Sequence, residues 1–160
     1  GAPTWPNGCH VCEVEINPET GECEVVAYSS VNDVGRVISP TIVRGQLDGG
    51  AVQGIGQALY ENLIYETHGA QLISGSLMDY AVPHADVMQV DFVTEMDESI
   101  PCKTNVLGVK GVGELGTIGA TPAVVNAIAD ALARNGHGHK TPQLQMPLTP
   151  LNLWRTIHEQ

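Results

Sequence analysis

Rings are scarce in this chain: aromatic residues make up 4% of 160 positions, with one Phe and two Trp. A core built on stacked rings is excluded, and small and aliphatic side chains must fill the interior. Basic residues are few as well, seven Lys and Arg against 18 Asp and Glu for a formal charge of -11. No row of cations is available to neutralise a phosphate backbone, which excludes nucleic acid as a partner. Apolar runs fall short of the roughly 20 residues that span a bilayer, and no basic-then-apolar leader pattern opens the sequence. The expectation is a cytoplasmic protein without a membrane span. Four cysteines, Cys9, Cys12, Cys23 and Cys102, are too sparse for a disulfide scaffold and suit a reducing compartment. The Cys9-His10-Val11-Cys12 pair lacks a second C-x-x-C, so zinc is weakly signalled, and Glu13 stands where haem attachment needs a histidine.

Glycine and proline are plentiful, 18 and 10 residues, so backbone shape matters and loops are expected to carry function. A 42% hydrophobic content supports a packed core of one domain, or one lobe of something larger. Because the chain opens Gly1-Ala2-Pro3 without Met, it reads as a processed end or a piece of a longer protein. His10, Cys12, Val14 and Ile16 alternate with Val11, Glu13 and Glu15, the period of a half-buried strand. Asn17–Gly21 is a turn, and Cys23–Val31 is a β-branched partner strand, giving an antiparallel hairpin. After a turn at Asn32–Gly35, Ser39-Pro40 starts a helix, with Ser as the cap and Val52, Ile55, Leu59 and Leu63 as its apolar stripe. Gly45, Gly49, Gly50, Gly54 and Gly56 fit either tight packing or close approach of a ligand. Gln71–Ile73 and Gln89–Met96 read as strands. Thr121-Pro122 starts a second helix through Val124, Val125, Ile128 and Leu132, ended by Asn135-Gly136. Residues 137–150 form a Pro-rich extended segment, and Leu151–Ile157 a final helical turn or two. The expected class is α+β: one lobe over 1–160, a mixed sheet with an N-terminal hairpin and two main helices on one face.

Chemistry concentrates between Gly108 and Ala120, where five glycines in thirteen positions surround one carboxylate, Glu114. Glycine lets backbone amides turn towards an anion, and the positive end of a helix lies just downstream. The G-K-[ST] ending of a nucleotide-binding loop is absent. A partly buried carboxylate there suits general-base work. On the residues alone, a lone loop acid is more often merely solvated.

Lys110-Gly111-Val112-Gly113-Glu114 resembles the K-x-V-G-E segment of the molybdenum hydroxylases, the xanthine oxidase and aldehyde oxidase family, in its carbon monoxide dehydrogenase-like large subunits. Further similar segments follow in family order: Pro6–His10, Asn32–Arg36 with Ser39-Pro40, Gln53–Leu59, Asp79-Tyr80 with Pro83, and Met146–Pro150 with Trp154-Arg155. The resemblance implies the C-terminal, molybdopterin-binding part of such a subunit. It implies oxidation of an aldehyde, a heteroaromatic or a related small substrate, carbon monoxide included. Glu114 would be the general base at the molybdenum. Gln53 would bond the cofactor through an amide that donates and accepts, Gly111, Val112 and Gly113 would wrap the pterin with backbone, and Lys110 would add its charge. The implied cofactor is molybdopterin cytosine dinucleotide, with iron–sulfur clusters and FAD on partner subunits or domains.

At 160 residues the chain is far shorter than such a subunit, so the remainder of the large subunit is an expected partner and the piece alone is expected to be inactive. Apolar surface left uncovered would favour self-association. Two other readings stand beside the enzyme part: a non-catalytic assembly or binding module reusing the lobe, and a small zinc protein on Cys9, Cys12 and Cys23 with His137 or His139.

Overall fold

The computed structural model describes residues 3–86, 88 and 90–159. Strand β1, Asn7–Ile16, pairs antiparallel with β2, Cys23–Asp33, from Asn7↔Asp33 to Ile16↔Cys23, with a register shift at Glu13/Val14. The turn between them depends on Gly21, whose φ of 75° is left-handed and where a Cβ would run into the Pro150 carbonyl. Strand β3, Asp91–Asp97, lies parallel to β2, so the sheet is mixed with the order β1-β2-β3. Helices α1, Pro40–Leu59, and α2, Leu115–Leu132, pack on each other, and α2 lies along β1. A short α3, Pro150–His158, is capped by Thr149, whose hydroxyl accepts from the Asn152 N–H. The α+β arrangement with its hairpin and two main helices is therefore as expected from the sequence pattern.

The core joins Val25 and Tyr28 of the sheet to Ala51, Ile55 and Ala58 of α1, Ala120, Val124 and Ile128 of α2, and Leu153 of α3. Strand alternation sets which face is covered: Val14 and Ile16 pack into this core, while Val11, Val31 and Val93 on the other face stay more than half exposed. Within the covered face lies a polar cluster. Asn32 donates its Nδ2 to Ser30 Oγ at 2.9 Å and to the Glu95 carbonyl at 3.4 Å, which leaves Asn32 Oδ1 facing His10 Nε2 at 3.2 Å. That fixes the proton on Nε2, and Nδ1 then accepts from the Tyr28 hydroxyl at 2.5 Å. Burial pulls the His10 pKa below its ordinary value, the Asn32 bond opposing it. The ring fills the space beside Gly119 of α2, where a Cβ would collide with it.

Several sequence expectations are corrected. Of the expected α1 stripe, Ile55 and Leu59 are buried, but Val52 is half-buried and Leu63 is exposed beyond the helix end at Leu59; the buried face is Leu47, Gly50, Ala51, Gly54, Ile55, Gly56, Ala58 and Leu59. Glycine and alanine make up over half of that face, so its hydrophobic periodicity is faint. Ser39 makes no side-chain cap; only its carbonyl enters the helix, accepting from Val43 at 2.9 Å. Gln71–Ile73 forms no strand, only an isolated bridge between Tyr65 and Leu72. The third strand begins at Asp91, and Gln89 lies outside the described residues. Helix α2 starts at Leu115 rather than Thr121, with Pro122 inside it. Proline lacks the N–H that would bond the Ile118 carbonyl, and the preceding Thr121 hydroxyl ties this part of α2 to the Gly54 carbonyl of α1 at 3.2 Å. Within 137–150, Gly138–Gln143 makes a 3-10 turn. The helical stretch Leu115–Gln143 is long and apolar enough by composition to cross a bilayer, contrary to the reading of short apolar runs. Its Gly116, Ala120, Val124, Ile128 and Leu132 face is buried inside this fold.

Candidate functional site

The glycine-rich loop is held from its first residues. Gly108 takes φ 71°, its carbonyl accepts from Arg36 and Cys102 at 2.9 Å each, and Asn105 brackets Val109 through both amide atoms. Lys110 donates its N–H to the Val34 carbonyl at 3.1 Å, and its ammonium meets Asp33 Oδ2 at 2.5 Å. Both side chains are largely covered, 9% and 17% exposed, and the lysine bond holds the Asp33 carboxyl below its ordinary pKa. Gly111 N–H donates to the Thr4 carbonyl at 3.2 Å. Lys110 is thus an anchor that ties the loop to the end of β2, and its charge is already partnered.

Beyond the anchor the chain turns through Val112 and Gly113 to Glu114, which is exposed and stands at the cap position of α2. Its carbonyl accepts the first helix bond from Ile118 at 3.1 Å, while its carboxylate caps nothing. No side chain caps the amides of the first α2 turn, an end suited to an anion. The partial burial expected of Glu114 is not provided by this chain.

Gln53 reaches the same seam from α1. The two helices cross closely because Gly50 and Gly54 face Gly116 and Ala120; a Cβ on Gly54 would lie 2.7 Å from that of Ala120. At this distance Thr117 Oγ1 reaches the Gly50 carbonyl at 3.0 Å and Gln53 Oε1 at 3.3 Å. Thr117 follows the exposed cap residue Glu114 by three positions. One turn on, Thr121 bonds Gln57 in the same manner. Downstream, a groove of about 540 Å³ is lined by Gln53, Gln57, Glu61, Tyr80, Met146 and Pro147, among others. In it the Tyr80 hydroxyl donates to Glu61 Oε2 at 2.5 Å. Thr117 and Asn105 were not singled out from the sequence, which read Thr121 only as a helix start and Asp33 only as part of a turn and of a family-like segment. A four-residue spacing of threonines in one helix matching that of glutamines in another was the available signal.

The donor set fits an anionic, hydrogen-bonding cofactor. Glutamine amide N–H groups without partners among the described residues, the uncapped start of α2 and glycine backbone are the donors on offer. The cysteines do not converge. C-x-x-C on a strand places Cys9 on the exposed face and Cys12 on the other, where burial pushes its thiol up to about 11 and that of Cys23 to about 12. Among the described residues no three His, Cys, Asp or Glu side chains group to hold an ion, so strand geometry overturns the zinc assembly of Cys9, Cys12 and Cys23 with His137 or His139.

Residues 1–89 match the molybdopterin cofactor-binding domain family. The chain is 45% identical over 88% of its length to the gamma subunit of the 6-hydroxypseudooxynicotine dehydrogenase complex of Paenarthrobacter nicotinovorans, covering 18% of that protein. It is 33% identical over 98% of its length to the carbon monoxide dehydrogenase large chain of Hydrogenophaga pseudoflava, covering 19% of it. Among solved structures, quinoline 2-oxidoreductase from Pseudomonas putida 86 superposes with a TM-score of 0.85 at 37% identity, over 97% of this chain and 19% of that one. The chain thus spans less than a fifth of the length of each of these proteins. Its matched residues and its fold agree, and the chain belongs to the molybdopterin cofactor-binding domain family of the xanthine oxidase-type molybdenum enzymes.

Proposed function

We propose that the chain is a single lobe of a molybdenum hydroxylase large subunit that hydroxylates an electron-poor carbon of an N-heteroaromatic compound. The observation that carries this reading is the donor-rich seam of α1 and α2, with one unpaired carboxylate, Glu114, at the open end of α2. Gln53 and the backbone of Gly111, Val112 and Gly113 would hold the cofactor, taken as molybdopterin cytosine dinucleotide. When bound, the cofactor supplies a Lewis acid and a two-electron acceptor. Glu114 takes the proton released as oxygen reaches carbon. Its position beyond the Lys110 anchor leaves the carboxylate without a partner among the described residues and free to act. Lys110 serves the loop through Asp33 rather than the cofactor directly. The heteroaromatic substrate class is supported by relatives named for nicotine-derived and quinoline substrates, at 45% and 37% identity, above the 33% of the carbon monoxide enzyme. Iron–sulfur and flavin subunits would take the electrons onward. The rest of the large subunit would close the pocket over Glu114, supplying the burial that this lobe lacks.

The test is Glu114→Gln in the full-length large subunit. It keeps the shape and hydrogen-bonding reach but removes proton acceptance, so single-turnover reduction of the metal centre should slow by roughly 10²-fold to 10⁴-fold at unchanged cofactor content. Wild-type reduction in a fully loaded variant would refute the assignment.

A further inference from the structure

Two exposed glutamines stand on α1 one turn apart, and the neighbouring helix holds both in the same manner. Thr117 Oγ1 lies 3.3 Å from Gln53 Oε1 and 3.0 Å from the Gly50 carbonyl. Thr121 Oγ1 lies 3.2 Å from Gln57 Oε1 and 3.2 Å from the Gly54 carbonyl. A threonine hydroxyl has one proton and two lone pairs. Each therefore shares its proton between a helix carbonyl and an amide oxygen, and each Nε2 faces outward without a partner among the described residues. With the amide turned over, Nε2 donates to the hydroxyl and Oε1 faces outward instead. Either edge can be offered at little cost. An untethered surface glutamine would lose rotamer freedom on being fixed by a ligand, and the bond to threonine already restricts that freedom.

We propose that Gln57 is a second amide that binds the pterin portion of the cofactor, one turn of α1 beyond Gln53, with Thr121 as its positioning residue. This rests on the reading of the seam as the cofactor site. A fused heterocycle carries donors and acceptors along one edge, and two amides on Cβ atoms roughly 5–6 Å apart can each turn to match the atom they meet. The charge pattern selects that portion over a phosphate. Past Gln57 comes Glu61, which lines the same groove, receives the Tyr80 hydroxyl and pairs with no cation among the described residues. Its negative charge turns phosphates back towards the glycine loop and leaves a neutral edge for Gln57.

The experiment uses the full-length subunit with its cofactor and follows loss of molybdenum and release of oxidised pterin fluorescence on dialysis. Gln57→Leu and Gln57→Glu should each speed cofactor loss about ten-fold, the effect of one good hydrogen bond. Thr121→Val should fall between them and wild type, Thr121→Ser should hold the cofactor as wild type does, and Gln71→Ala, in a distant loop, should do nothing. Circular dichroism confirms folding, and because Gln57 is exposed both of its variants should fold. If Gln53→Leu speeds loss while both Gln57 variants retain cofactor at the wild-type rate, the inference is overturned and the cofactor site stands. If neither glutamine matters, the site itself has been misplaced.

Discussion

The sign of a glycine-to-alanine substitution should reverse within a few residues of the α1–α2 seam. Gly49 sits inside α1 with nothing within 4 Å of a built Cβ, so Gly49→Ala should gain the helix preference of alanine, roughly 0.5–1 kcal/mol. Gly116 has the opposite surroundings. A Cβ there would strike the Leu47 carbonyl and lie 2.8 Å from Ala51 N and 3.1 Å from Gly50 C, all backbone of the facing helix. Backbone cannot swing aside as a side chain does, so the helices must separate, an overpacking cost of roughly 1–3 kcal/mol. Separation also stretches the bond from Thr117 to the Gly50 carbonyl, adding about 1 kcal/mol. The two variants should therefore differ by about 2.5–5 kcal/mol, or roughly 5–20 °C in Tm for a chain of this size. Thermal and urea unfolding of matched variants reads this directly, with Gly45→Ala, also open, as a second control. A Gly116→Ala protein as stable as wild type would refute the account of why the seam is glycine-rich.

Two further outcomes follow from the buried polar groups. Asp33→Asn leaves the covered Lys110 ammonium unpaired and should cost about 3 kcal/mol at neutral pH. Because the folded Asp33 pKa is lowered, this contribution is present above the ordinary carboxylate value and disappears as pH falls through the folded one; urea midpoints of wild type and variant should converge below about pH 4. For His10 the lowered folded pKa means that the unfolded chain binds protons first. Wild-type stability should decline as pH drops from about 6.5 towards the folded value, and His10→Gln should lack that slope in denaturant titrations across the same range. An unchanged slope in the variant would assign the titration elsewhere.

Elements with local signals were legible in the sequence. The hairpin showed in the alternation of His10, Cys12, Val14 and Ile16 and in the Asn17–Gly21 turn, and α3 in the short helical stretch over Leu151–Ile157, because strand and helix periods depend on neighbours along the chain. The seam was hidden for the opposite reason. Its buried surface is glycine and alanine, whose role is to be small against a partner more than 60 residues away, and no window on one segment reports that. Thr121-Pro122 misled because the cap-plus-proline pattern is the same whether it opens a helix or sits in its second turn. At the candidate site, Glu114 and Gln53 are proposed through the resemblance alone, while Lys110 is ion-paired with Asp33, a partner the sequence did not indicate. A lysine in a glycine loop looks like a ligand-binding charge until the fold supplies its counter-ion.

The sheet has a further consequence, in the order in which it can assemble. Strands β1 and β2 are joined by a short turn, whereas every β2–β3 pair, from Ala27↔Asp91 to Asp33↔Asp97, closes a segment of 64 residues. Loop-closure entropy grows as the logarithm of length, so drawing β3 in costs about 2 kcal/mol more than closing the hairpin. The hairpin can form while α1 is still unplaced; β3 can dock only after the intervening chain has collapsed against it. Strand β3 is accordingly the last to join and the first to leave. Its departure would uncover the Glu95 carbonyl that Asn32 uses to orient His10, so fraying at this edge reaches the packing beneath α2 before any helix has unwound.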